Sequence, residues 1–195
     1  MAEAKGLVLE TDIVAQEFNL EEILGVDLSK DEALAAEIGN DIVDYITKRS
    51  AAGRGIGGSK LRSPYSKEYL NSEEAKIYGK KPAPINMRLS GDMISSMDVI
   101  DFDGTTLVVG IEGEEAAKAH GHMTGKNGTV PNMKREFFGL TSSELKKITD
   151  NYSDRISALE SPSPTIGDLL SEKDNASIND FFNNIGDIFK LKELK

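Results

Sequence analysis

"SMDVIDFDGTTLVVGI", residues 96–111, holds two β-rich runs with Asp103-Gly104 between them. Asp-Gly flanked by such runs predicts a tight antiparallel hairpin, because both central turn positions require positive φ. Upstream, "SKDEALAAEIGNDIVDYITKRSAA" (29–52) repeats Leu34, Ile38, Ile42 and Ile46 every four residues. That spacing predicts an amphipathic helix of about five turns, and Ser29 with Glu32 fits a capping box at its start. Downstream, "NMKREFF" (132–138) reads as a strand leading into a helix that starts at Thr141. There Thr141 and Glu144 form a second capping box, with Leu140 and Leu145 placed as a hydrophobic staple. Adjacent side chains on a strand face opposite ways, so one of Phe137 and Phe138 is expected in the core and the other outside it. Helices and antiparallel strands that do not strictly alternate predict an α+β fold: a small curled antiparallel sheet packed on a long helix, with extended loops.

The chain has 195 residues, of which 38% are apolar, a low fraction for one compact body. The expected division is an N-terminal extension (1–28), a core domain (29–151), a linker (152–176) and a C-terminal amphipathic helix (177–195). "NLEEIL" (19–24) within the extension reads as a short helix with Asn19 as its cap. The linker assignment rests on "ALESPSPTIGDLLSEKDNAS", rich in Ser and Pro. In the last segment Ile178, Phe181, Phe182, Ile185, Ile188 and Phe189 form a stripe at helical spacing. Such a stripe suits docking either on the domain or on a neighbouring subunit.

Net charge is −10, which disfavours non-specific attraction to nucleic acid or an anionic membrane. The charge is uneven: residues 60–88 carry 7 basic and 3 acidic side chains. This basic patch includes Lys60, Arg62, Lys67, Lys76, Lys80, Lys81 and Arg88, interleaved with Tyr65, Tyr69 and Tyr78. Aromatics among lysines can stack on single-stranded nucleic acid, but a basic segment inside an acidic chain fits a subunit or partner interface better. No apolar run is long enough for a signal peptide or a membrane span, so no membrane partner is expected.

Cysteine is absent, which excludes disulfides and thiolate metal sites. "GRGIGGSK" (53–60) is not a P-loop, since Ser59 precedes Lys60 where the motif needs Lys before Ser or Thr. No strand leads into Gly53, Gly55, Gly57 and Gly58, so the stretch reads as a flexible hinge. His120 and His122 would share one side of a strand and are the candidate metal pair. The rest of a ligand set is missing, and the flanking glycines place them in an exposed loop within a flexible 112–131 segment. Asp98, Asp101 and Asp103 do not complete a calcium loop and read as a solvated hairpin tip. No cofactor is expected.

The order of the pieces carries more than any one of them. "LSGDMISS" (89–96), the hairpin, "AAKAHGHMTG" (116–125) and "PNMKREFFGLT" (131–141) follow one another across roughly 29–150. This order resembles the virion-morphogenesis and tail-completion family of tailed phages, the neck proteins of the head–tail junction. Glu136 stands between Arg135 and Phe137 at a position where that family varies. The resemblance implies a non-catalytic structural protein that assembles into a ring of copies, usually six, in the virion after synthesis in the host cytoplasm. It implies portal or adaptor proteins on one side, and tail-tube or tail-terminator proteins on the other. It also implies that the "REFFGL" turn lies at a subunit boundary, so that Arg135 and one of Phe137 and Phe138 help pack the junction. A tail terminator or other minor virion protein is the nearest variant. From other classes, the residues leave open a nucleic-acid-contacting module built on 60–88 and a metal-dependent hydrolase built on His120 and His122.

Overall fold

The computed structural model describes residues 6–29, 31–61, 65–87, 91–126 and 134–160. The chain divides into two compact units, residues 1–156 and 157–195. In the second unit only the end of a helix, up to residue 160, is described. The C-terminal stripe from Ile178 to Phe189, and Arg62 and Arg88 of the basic patch, lie outside the described residues.

The fold is α+β around a four-stranded, open antiparallel sheet. Its strands are β1 (Leu7–Leu9), β2 (Ile13–Asn19), β3 (Asp98–Phe102) and β4 (Thr106–Glu112), in the order β1-β2-β4-β3. β3 and β4 form the hairpin anticipated around Asp103-Gly104, but three residues, Asp103 to Thr105, separate the strands and only Gly104 has positive φ. The Asp103 carboxylate closes it by accepting from Thr105 N (2.9 Å) and Thr106 N (2.6 Å). The register shifts at a bulge between Val99 and Asp101.

The described part of the expected extension, residues 6–28, is not outside the core: it supplies two of the four strands and α1. β2 is an inner strand, paired along its length with β4 from Ile13↔Glu112 to Asn19↔Thr106. Its inward side chains are Val14, Gln16 and Phe18, all buried. The polar Gln16 interrupts the apolar alternation that marks a strand in sequence. Asn19 ends β2 and caps α1 (Leu20–Leu24), accepting from Glu22 N at 2.8 Å as expected.

α2 (Glu32–Ala51) packs on β3 and β4. Leu34, Ile38, Ile42 and Ile46 have no exposure, and burying each stabilises the fold by roughly 1.5–3 kcal/mol. Its cap is Asp31, which accepts from Leu34 N at 3.0 Å, rather than Ser29. Gly39 lets the helix approach the sheet: a Cβ there would lie 2.5 Å from Val99 Cγ2.

Two short helices, α3 (Lys67–Asn71) and α4 (Glu73–Ile77), follow, each capped by a serine, Ser66 and Ser72. α5 (Asp92–Ser95) buries Met93 and Ile94. α6 (Glu114–Thr124) runs three turns where a flexible 112–131 segment was expected, and buries Ala116, Ala119 and Met123. α7 (Ser142–Thr149) begins at the expected Thr141–Glu144 capping box. α8 (Ser153–Glu160) continues where a linker was expected. Tyr152 and Arg155 tie this stretch to α2, through Asp41 (2.8 Å) and Glu37 (2.8 Å).

Candidate functional site

Residues 134–141 are the part of the chain where sequence and structure differ most. The segment is neither strand nor helix. Phe137 N donates to Arg135 O at 2.9 Å, a three-residue turn that stops any ladder. Strand alternation therefore does not apply. Phe137 and Phe138 are both fully buried, with ring centroids 6.4 Å apart in an edge-on arrangement. Neither is a surface contact, which corrects the expectation that one of them leaves the core.

Buried irregular backbone needs partners for its polar groups, and four elements supply them here. Ile56 N donates to Glu136 O (2.9 Å), and Arg135 N donates to His122 O (2.8 Å). Gln16 brackets Leu140: its Nε2 donates to Leu140 O (3.0 Å), and Leu140 N donates to its Oε1 (2.7 Å). Arg49 donates through one terminal nitrogen to Phe137 O (2.7 Å) and Gly139 O (2.8 Å). Its other terminal nitrogen binds Glu144 Oε1 (2.9 Å), and both side chains are only 5% exposed. Arg49 Nε is buried without a partner.

Glu144 collects more than a capping box requires. Its carboxylate accepts from Thr141 N (3.0 Å), Thr141 Oγ1 (3.0 Å), Gly57 N (3.1 Å) and Arg49. Burial pushes its pKa up, but the bond from Thr141, the Arg49 charge and the bond from Gly57 outweigh that and hold it below the usual carboxylate range. "GRGIGG" is thus not a free hinge. Gly53, Gly55 and Gly58 have G-x-G-x-x-G spacing, yet they follow a helix rather than a strand, and the stretch closes on residues 136 and 144 through Ile56 N and Gly57 N. Gly55 is required by contact: a Cβ there would lie 2.3 Å from Glu136 O.

The same segment reaches the basic patch. The Arg135 guanidinium, buried in this fold, lies 5.2 Å from the Tyr65 ring centre, and Lys80 Nζ lies 5.4 Å from it. Tyr65 and Tyr69 stack at 5.0 Å, and Lys80 also donates to Asn86 Oδ1 at 2.8 Å. Lys60, Lys67, Lys76 and Lys81 are exposed. Tyr65 is thereby committed to cations of its own chain.

His120 and His122 sit on α6, not in an exposed loop. Two residues apart on a helix, they point about 200° apart, so they do not form a pair. His122 is half-buried, and Arg135 donates to its Nδ1 at 3.4 Å. Burial first, and the Arg135 charge second, lower its pKa to about 4, leaving it neutral. Among the described residues no group of three or more His, Asp or Glu side chains is placed to hold a metal ion. Nor is any helix among them long and apolar enough to cross a membrane. Asp98, Asp101 and Asp103 lie on the exposed hairpin as anticipated.

Arg49 and Gln16 escaped the sequence reading. The signal for Arg49 was a charge in line with the Leu34–Ile46 stripe. No protein-family model matches the chain, and neither a curated protein nor a solved structure does.

Proposed function

We propose that this chain is a structural protein of a tailed-phage neck, a tail-completion or head–tail joining component that acts as a ring of copies without catalysis. The observation that carries the reading is the ordered set of segments 89–96, 116–125 and 131–141. The α+β architecture is the one such a protein would have. The Arg135–Thr141 turn, within one of the three segments that carry the resemblance, is held by bonds from α2, β2 and α7. In this reading the turn is a rigid part of each subunit, not a contact between subunits. The ring presents one face toward the portal and the other toward the tail. A nucleic-acid role has less support, because Tyr65 already stacks against Arg135 and Lys80.

Quantitative mass spectrometry of density-purified particles from the source tests the proposal. A fixed ratio of a few copies per particle, against the major capsid protein, is the expected result. Absence of the chain from particles overturns it.

A further inference from the structure

Among the described residues of the unit formed by 1–156, two apolar spots are exposed, and they carry opposite charge at their rims. Ile77 (78% exposed) and Tyr78 (50%) end α4, a helix whose only buried residue is Ala75. Exposed Lys76 and Lys81 stand beside them, with Glu73 and Glu74 at the far end of the helix. On α1, Ile23 is 38% exposed between exposed Glu22 and the turn that carries exposed Asp27. Residues 6–29 contain six acidic side chains and no basic one. α1 packs on β2 and β4, whereas α4 packs on α3, so the two spots belong to different parts of the unit.

We propose that the α4 tip of one copy docks on α1 of a second copy, Ile77 and Tyr78 meeting Ile23 while Lys76 and Lys81 face Glu21 and Glu22. This rests on the reading that copies of the chain assemble, and it names the surfaces. Scattered exposed apolar residues need no explanation. An apolar centre with a basic rim on one element, and one with an acidic rim on another, is the arrangement that steers two copies into register. Because the two spots differ, the contact is head-to-tail, and such a contact closes into a ring where the rotation between copies allows it and otherwise runs on as an open filament.

Charge reversal tests this, using the full chain in analytical ultracentrifugation. Wild type is expected to self-associate, more weakly as salt rises. Lys76→Glu/Lys81→Glu and Glu21→Lys/Glu22→Lys should each weaken association at least tenfold while keeping the wild-type melting temperature. An equimolar mixture should assemble again, since each variant then offers the surface the other needs. Wild-type-like assembly by both variants overturns this contact and leaves the ring reading standing. So does failure of the mixture to reassemble. A wild type that stays monomeric at every concentration overturns self-docking, and the neck role then stands or falls on the particle measurement alone.

Discussion

The 134–141 segment and the arm formed by residues 65–78, with α3 and α4, meet at the Arg135–Tyr65 contact, yet they are built in opposite ways. The first has no regular hydrogen bonding of its own and is sealed, with Phe137, Phe138 and Leu140 at 1% exposure or less. The second is helical and serine-capped at each start, yet buries only Ala75 along its two helices. Regular secondary structure therefore does not decide what is inside. Burial follows from which backbone groups find partners elsewhere in the chain. The segment borrows Arg49, Gln16 and Glu144 from α2, β2 and α7. The arm satisfies its own backbone and keeps Ile77 and Tyr78 outside.

If borrowed partners hold the segment, removing one should cost far more than any change on the arm. Glu144→Ala leaves the Arg49 guanidinium buried and uncompensated, and it also removes the acceptor for Gly57 N and Thr141 N. Destabilisation of about 3–5 kcal/mol is expected in urea or guanidinium unfolding. A loss below about 1 kcal/mol would mean that packing of the two phenylalanines, not the latch, holds the segment. Gln16→Leu comes next. It keeps the volume but orphans both backbone groups of Leu140, at about 1–3 kcal/mol each, partly offset by added apolar burial. A total of about 2–4 kcal/mol is expected, measured the same way.

Gln16 also explains what could be read in advance. The hairpin, the long helix and the Thr141 cap were legible because each is a local rule written in neighbouring residues. β2 was not, since its inward row is Val14, Gln16, Phe18, and the polar member looks wrong for a buried face. It faces inward because its partner, Leu140, lies 124 positions away. The mirror-image error occurred at residues 134–138: ending in two aromatics, they read as part of a strand, yet among the described residues no strand pairs with them and Phe137 N turns back to Arg135 O. His120 and His122 were placed in a loop because of the glycines around them, Gly121 among them. Gly121 is instead a buried position of α6, and the helix takes the two rings apart.

The pH response should sharpen the same contrast. The His122 imidazole titrates near 6.5 when unfolded and near 4 in the fold, so between those values the unfolded chain binds more protons. Stability is full above about pH 6.5 and falls as pH drops toward 4, by up to about 3 kcal/mol. His122→Asn keeps an acceptor for Arg135 without a titrating ring, and should flatten the unfolding free energy across that window. Glu144, whose folded pKa is depressed, contributes stability above its unfolded value near 4.5 and loses it below. The slope that His122→Asn removes should therefore lie mostly above the one that remains. An unchanged slope between pH 6.5 and 4 would mean that carboxylates, not His122, govern acid sensitivity.

The smallest effect is expected on the arm. Ile77→Ser removes a large apolar side chain, but one already 78% in water, and its stability change should stay within about 0.5 kcal/mol. In a closed core the same loss of apolar volume would cost several times more. Unfolding measured well below the concentration at which copies associate isolates the monomer and makes the comparison clean. A cost above about 1 kcal/mol there would show that Ile77 is held inside its own chain, so that the arm resembles the 134–141 segment after all. A negligible cost in the monomer, together with a loss of self-association at higher concentration, would assign Ile77 to the surface between copies.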